Sequence, residues 1–204
     1  MPLRTGVLTS VPLRPGPRAV EHGGSVRTEE LRILGLLQTE AHAGAVVQGT
    51  LPLASPSEVE VRVRARIERQ TVITRTDPVR LRAAMDEAAL CRPVGGADVM
   101  REQLDHIAEK AREPHIRVQM IAFTAGAHPG MPGSFVLMNF SHRAEPEIIW
   151  VDSHAGDLFL EKQVEIARLR TAFDELIAQA LSPAQTLAKI TTLRNRIGAS
   201  ADGG

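Results

Sequence analysis

The sequence has little aromatic content, a single cysteine, no excess of charge of either sign and no long apolar run. One cysteine, Cys91, excludes an internal disulfide framework and a zinc site built on cysteine ligands. Lys+Arg and Asp+Glu each number 24, which excludes a strongly basic nucleic-acid binder. Aromatic residues make up 3% of the chain and tyrosine is absent, which argues against platforms for base stacking. No stretch approaches the roughly 18 apolar residues of a membrane span.

The rest of the composition is that of an ordinary globular chain. Of 204 residues, 43% are hydrophobic and 24% are charged, and a chain of this length buries a core without disulfides or metals. The size indicates one domain with a small appendage. We therefore expect a soluble, cytoplasmic protein with no membrane segment and no direct binding to nucleic acid.

Prolines and glycines indicate the limits of the domain. Residues 1–27 contain four prolines and four glycines and show neither a helical nor a strand period. They also lack the apolar core of a signal peptide. We expect a disordered leader over 1–27, a single domain over 28–197 and a flexible tail over 198–204.

Hydrophobic periodicity predicts several helices. The segment 56–74 is ambiguous, because its valines alternate as in a strand. Ser55, Pro56 and Glu58 form a capping box with proline at the first helical position, and this start signal favours a helix. Helices are predicted over 29–48, 56–74, 86–91, 97–112, 162–180 and 183–197.

A period of two predicts a strand over 79–85 and three to four more between 115 and 160. Connections between the later strands are short, and short connections favour antiparallel pairing. The sequence therefore predicts an α+β fold with N-terminal helices, a central antiparallel sheet of about four to five strands and C-terminal helices packed on it.

Several segments carry groups suited to acid–base chemistry, although no strong catalytic or nucleotide-binding motif is present. Asp152 and His154 lie two residues apart, which places both on one strand face. Such a pair makes a general base or contributes metal ligands, and the same residues with Asp157 also suit a plain turn. Glu87 is a second candidate carboxylate. If the chain is an enzyme, we expect His154, Asp152 and Glu87 to be catalytic.

Other residues are candidates for ligand contact. His128 lies in the glycine-rich loop 126–133, which suits either a mobile connection or the rim of a pocket. Cys91 stands beside Arg92, and a neighbouring cation lowers the pKa of a thiol, although a half-buried structural cysteine is the more common case. Gln38 and His42 share one face of the first helix. The predicted ligand-binding residues are Gln38, His42, Cys91, Arg92, His128, Trp150 and Asp157; no metal or cofactor is predicted.

An ordered set of short motifs carries a resemblance to a known family. The motifs run over about residues 29–195 and include GLLQT at 35–39, DEAAL at 86–90, RPVGG at 92–96, MREQL at 100–104, AGAH at 125–128 and GDLFL at 156–160. The chain resembles the C-terminal domain of unknown function of actinomycete Xre-type helix-turn-helix, antitoxin-like transcriptional regulators. The resemblance implies a sensor or partner-binding unit that follows a DNA-binding domain, with links to secondary metabolism.

Departures from the family pattern affect what the resemblance implies. Residues 1–28 are too short for a helix-turn-helix, so DNA binding is not carried over. His42 stands where the family usually has tyrosine and Cys91 where it usually has arginine. The stretch 152–155 also departs and brings in His154. These residue types titrate near neutral pH or act as nucleophiles.

Three hypotheses remain open. The first is a free-standing regulatory domain that binds a small molecule or a small partner protein, as a homodimer or in a mixed dimer with a full-length regulator. It predicts an apolar groove lined by Leu36, Leu37 and Trp150. The second is a cofactor-free acid–base enzyme (isomerase, cyclase or lyase) of specialised metabolism. The third is a regulator fragment whose true start lies upstream.

Overall fold

A computed structural model of the chain describes residues 24–30, 33–139, 147–151 and 158–201. These residues form a six-stranded sheet with helices on both faces, which confirms the α+β class with one or two strands more than expected. The strands are β1 (Ser25–Glu30), β2 (Arg80–Asp86), β3 (Ile116–Ile121), β4 (Phe135–Asn139), β5 (Ile148–Val151) and β6 (Leu158–Leu160).

The sheet is mixed, which corrects the expectation of antiparallel pairing. The strand order is β3-β2-β1-β4-β5-β6. β1 pairs with β2 and β2 with β3 in parallel, whereas the pairs β1–β4, β4–β5 and β5–β6 are antiparallel. The parallel pairs are possible because helices occupy the long connections between β1, β2 and β3, as parallel crossovers require.

The helices follow the predicted positions closely, except at the N-terminal end. They are α1 (Glu40–Thr50), α2 (Pro56–Glu68), α3 (Thr71–Thr74), α4 (Glu87–Cys91), α5 (Ala97–Lys110), α6 (Gln163–Gln179) and α7 (Pro183–Ala201), with 3₁₀ turns at Gly35–Leu37 and Phe123–Ala125.

The predicted helix over 29–48 is wrong in its first half. The chain begins this region as strand β1 and passes through a 3₁₀ turn before α1 starts at Glu40. Thr39 caps α1, since its hydroxyl accepts a hydrogen bond from the His42 N–H at 3.2 Å. β1 also begins three residues inside the stretch expected to be disordered, because Val26 and Thr28 bury against β2 and β4.

The start signals read from the sequence are confirmed by the cap geometry. The Ser55 hydroxyl accepts from the Glu58 N–H, and the Glu58 carboxylate accepts from the Ser55 N–H at 2.9 Å. This reciprocal box resolves the 56–74 ambiguity in favour of a helix. At α7, Ser182 and Gln185 exchange the same pair of bonds.

The two faces of the sheet are covered by different helices. On the face we call the α5–α7 face, Leu81, Met85 and Met120 pack with Leu104 of α5 and Ile190 of α7. On the opposite, α6 face, the apolar cluster is smaller. It contains Ala84, Ile121, Phe135, Leu137 and Ile149 from the sheet and Ile166, Phe173 and Leu176 from α6.

One edge of the sheet is covered by the chain itself. The Met120 carbonyl of β3 accepts from the Leu181 N–H at 2.9 Å, and the Met120 N–H donates to the Thr186 hydroxyl at 3.0 Å. The start of α7 thus occupies backbone groups that an edge strand would otherwise leave open.

Candidate functional site

A cleft lies between α1, α2 and the start of α5. Its volume is about 950 Å³, within the range of ligand-binding clefts. Apolar side chains of all three helices form its floor, and Ala43, Val47 and Val63 pack beneath it as a small separate core. The apolar lining residues are Ala41, Ala45, Pro56, Val59, Val63, Ile67 and Val99.

The charged lining of this cleft is predominantly acidic. Four glutamates and one arginine line it, and the arginine, Arg64, pairs with Glu60 at 2.6 Å. The remaining acids are Glu40, Glu68 and Glu102. The cleft therefore combines an apolar floor with a negative rim.

Gly95 holds α1 and α5 close together at one end of the cleft. Its φ is +77°, a conformation that favours glycine, and a Cβ there would lie 2.9 Å from a Val99 methyl and 3.0 Å from the Ala45 Cβ. Glycine at position 95 is therefore required by the shape of the cleft wall.

Beside the cleft, buried amides hold the segment that leads into α1. The Gln38 amide donates to the Ile33 carbonyl at 2.6 Å, and its oxygen accepts from Arg66 at 3.0 Å. Gln103 of α5 donates to the Leu37 carbonyl at 2.7 Å and accepts from the Thr39 N–H at 2.8 Å. Gln38, a predicted ligand contact, is thus engaged in supporting the backbone.

His42 is buried in α1 with only 2% of its surface exposed. Within the described chain neither ring nitrogen has a hydrogen-bond partner. Burial, assisted by the nearby Arg66 charge, lowers its pKa from 6.5 to about 4. The ring is therefore neutral at physiological pH. Glu40 and Ala41, rather than His42, line the cleft.

A histidine–carboxylate pair lies at the carboxyl end of β2. The His128 Nε2 is 3.2 Å from an Asp86 oxygen, and the two side chains are 5% and 16% exposed. The other Asp86 oxygen accepts from the Ala88 N–H at 2.6 Å and so caps α4. His128 Nδ1 is buried without a partner among the described residues. The pair joins the 126–133 loop to the start of α4.

Glu87 is buried next to this pair but has partners for both oxygens. One accepts from the Phe123 N–H at 2.9 Å, and the other pairs with Lys189 of α7 at 2.9 Å. Burial favours a higher pKa, but the Phe123 N–H and Lys189 outweigh it and hold the Glu87 pKa below its usual value. A carboxylate held in this ionised state tethers α7 to α4.

Cys91 and Arg92 are exposed at the end of α4. Partial desolvation and the Glu87 carboxylate raise the pKa of the Cys91 thiol, opposed by Lys189 and Arg196. The pKa of this thiol is therefore raised, not lowered as a neighbouring cation would make it, and the protonated thiol is a poor nucleophile.

Trp150 packs with Leu36 and Leu37 against one core cluster on the α5–α7 face, but these three residues do not line the cleft. His154, Asp152 and Asp157 lie outside the described residues.

Among the described residues, no group of three His, Cys, Asp or Glu side chains is placed to hold a metal ion. Over the same part of the chain, no helix is both long and apolar enough to cross a membrane.

The sequence reasoning missed Asp86, Lys189, Arg66 and Gln103 as members of these clusters. Asp86 lies 42 positions from His128 and Gln103 lies 66 from Leu37. The available signal was the motif set itself, since DEAAL and AGAH meet at the Asp86–His128 pair.

Together these features define a mixed-sheet α+β domain with an acidic, apolar-floored cleft and a separate histidine–carboxylate pair. Residues 26–192 match the profile of the family described as Domain of unknown function (DUF5753), and the chain belongs to this family. No curated protein and no solved structure matches the chain.

Proposed function

We propose that this chain is a cytoplasmic regulatory interaction domain that binds a protein partner through the cleft between α1, α2 and α5, and thereby modulates gene expression. The observation that carries the proposal is the cleft itself, with apolar side chains on its floor and four glutamates around it. The resemblance of the sequence motifs to regulator C-terminal domains supports a domain of this kind.

The shape and charge of the cleft favour a basic amphipathic helix as its occupant. An apolar groove of this type accepts the apolar face of a helix, and the acidic rim complements Lys or Arg on the polar face. Val61 on α2 and Leu53 in the preceding turn are exposed at 48% and 97%. They add exposed apolar surface to α2 and to the turn before it, which favours a macromolecular partner over a small molecule.

Two glycines on α1 provide a matched test. Gly44 lines the cleft and Gly49 does not, and a Cβ at either position meets no atom within 4 Å. Gly44→Arg places a bulky cation in the cleft, whereas Gly49→Arg makes the same change outside it. A fluorescent helical peptide with leucines on one face and lysines on the other should bind the wild-type chain and Gly49→Arg. Affinity for Gly44→Arg should fall at least about tenfold.

The regulatory role is tested in cells with the same pair. Deletion of the gene should change transcript levels, Gly49→Arg should restore them and Gly44→Arg should not. Unchanged transcripts after deletion would contradict a regulatory role. Equal binding of a glutamate-faced control peptide would contradict the charge argument.

The Asp86–His128 pair favours a second candidate, acid–base catalysis. A carboxylate that orients a histidine is the arrangement of a general base, although the cleft is lined by other residues. The test is incubation with a metabolite extract. A compound consumed by the wild-type chain and spared by His128→Asn would support catalysis, and an unchanged extract would count against it.

A further inference from the structure

Three arginines form a row across the parallel half of the sheet. Arg27 of β1 is in register with Arg82 of β2, and Arg82 is in register with Arg117 of β3. Paired positions on adjacent strands point to the same side, here the α6 face. Arg80 lies two residues before Arg82 and shares this face. We call Arg27, Arg82 and Arg117 the arginine row.

Within the described chain, the guanidinium groups of the row have no ion-pair partner. None of the ion pairs or hydrogen bonds there engages the guanidinium groups of the row or of Arg80, and the Nε of Arg82 is buried without an acceptor. Repulsion from Arg117 and Arg27, after burial itself, lowers the pKa of Arg82, and the exposed Asp174 of α6 opposes this only in part. Like charges directly opposite on adjacent strands destabilise a sheet.

The surroundings hold the row in place and leave it accessible. The Arg82 guanidinium lies 5.7 Å from the centre of the Phe173 ring on α6, a cation–π distance. Arg27 and Arg82 are half-buried, whereas Arg80 and Arg117 are exposed. A ligand can therefore enter from the Arg80 and Arg117 side and reach the unsatisfied donors of Arg82.

We propose that the arginine row is a binding site for a small polyanion that carries two or more adjacent phosphates. Guanidinium groups recognise phosphate through paired, charge-assisted hydrogen bonds, and an anion would satisfy donors that have no partner among the described residues. The arginine row lies on the α6 face of the sheet, whereas α5, which forms part of the cleft wall, lies on the opposite face. The proposed anion site is therefore separate from the cleft that is proposed to bind a partner.

The length of the row argues for a phosphate chain rather than a single oxyanion. Adjacent strands lie about 4.8 Å apart, so the backbone positions of the three arginines span about 10 Å. One orthophosphate meets only part of such a row, whereas a di- or triphosphate presents successive charged groups along it. Inorganic tripolyphosphate and a nucleoside triphosphate share this chemistry.

The test compares the wild-type chain with Arg27→Gln and Arg117→Gln, and with Arg62→Gln on α2 as the control. Tripolyphosphate should raise the Tm of the wild type and of the control by linkage. Its Kd, measured by calorimetry, should be roughly tenfold weaker in each row variant, the scale of one charge-assisted hydrogen bond. Without ligand, the row variants should have an equal or higher Tm, because repulsion is relieved.

Several results would overturn the proposal. They are an unchanged wild-type Tm with both tripolyphosphate and ATP, equal binding in the row variants, orthophosphate or citrate binding as tightly as tripolyphosphate, or a lower ligand-free Tm in both row variants. The last would show that the arginines stabilise the fold. Competition between ATP and tripolyphosphate would support one shared phosphate-chain site.

Discussion

The two sides of the sheet bury polar groups of different kinds. On the α5–α7 side the buried amides of Gln38 and Gln103 are bonded to backbone groups of the segment before α1. On the α6 side the half-buried Arg82 is charged, and its Nε is buried without a partner among the described residues. The difference indicates that the first set is complete as a structural support, whereas the second is suited to an outside ligand.

The largest expected effect concerns the satisfied side. Gln103→Met removes two hydrogen bonds and leaves the Leu37 carbonyl and the Thr39 N–H unpaired in the interior. We expect a loss of about 2–4 kcal/mol in the free energy of unfolding, measured by urea denaturation. The exposed Gln179→Met should change it by less than about 0.5 kcal/mol. If Gln103→Met lowers the free energy of unfolding as little as Gln179→Met does, the buried amides are not a structural support, and the two sides of the sheet do not differ in this way.

The next effect depends on pH and on His42. Its folded pKa of about 4 lies below the ordinary value of 6.5, so the neutral form is favoured by folding. This contribution to stability is complete above about pH 6.5 and is lost as pH falls toward 4. Between pH 7 and pH 4.5 the wild-type chain should lose on the order of 2 kcal/mol more than His42→Leu, at about 1.4 kcal/mol per pKa unit.

His42→Leu should be nearly neutral for stability at pH 7, since both ring nitrogens lack partners in the described chain. Parallel pH profiles of wild type and variant would show that His42 is not the group that titrates, and would place the acid sensitivity elsewhere.

The smallest effect concerns the charged side and has the opposite sign. Arg82→Met keeps packing against Phe173 but removes a buried Nε that has no partner among the described residues, together with the repulsion from Arg27 and Arg117. We expect a gain of about 1 kcal/mol in the ligand-free chain, measured by chemical denaturation. The exposed Arg112→Met should have little effect. A lower free energy of unfolding for Arg82→Met would contradict this prediction. It would show that the arginine row stabilises the fold, as the amides of Gln38 and Gln103 do on the other side.

Local signals in the sequence were sufficient for much of the fold. The Ser55–Glu58 box, the Ser182 cap and the apolar period of α5 depend on residues within a few positions of one another, and the structure has all three. β1 was missed because only Val26 and Thr28 mark its buried side in a short strand. Its position becomes clear only when β2 and β4 pair with it.

The candidate sites depend on register and were therefore harder to predict. Arg27, Arg82 and Arg117 belong to three strands, and nothing in any one strand indicates that they align. The parallel pairs β1–β2 and β2–β3 were not predicted, because the short connections after residue 115 favour antiparallel pairing. The helical connection between β2 and β3 is the signal that indicates a parallel pair. Glu87 was predicted as a candidate catalytic carboxylate. Its partners Phe123 and Lys189 come from distant segments, so the sequence around Glu87 does not indicate them.

The covered edge at β3 has a consequence for assembly. Because Leu181 and Thr186 occupy the outward backbone groups of Met120, a strand from another copy cannot add there without displacing α7. β6 is the outermost described strand at the other edge. Strand addition between copies would join two β6 edges and then stop, since each member of the pair presents its covered edge outward. The occupied edge at Met120 therefore disfavours sheet growth through β3 and counts against open-ended fibres.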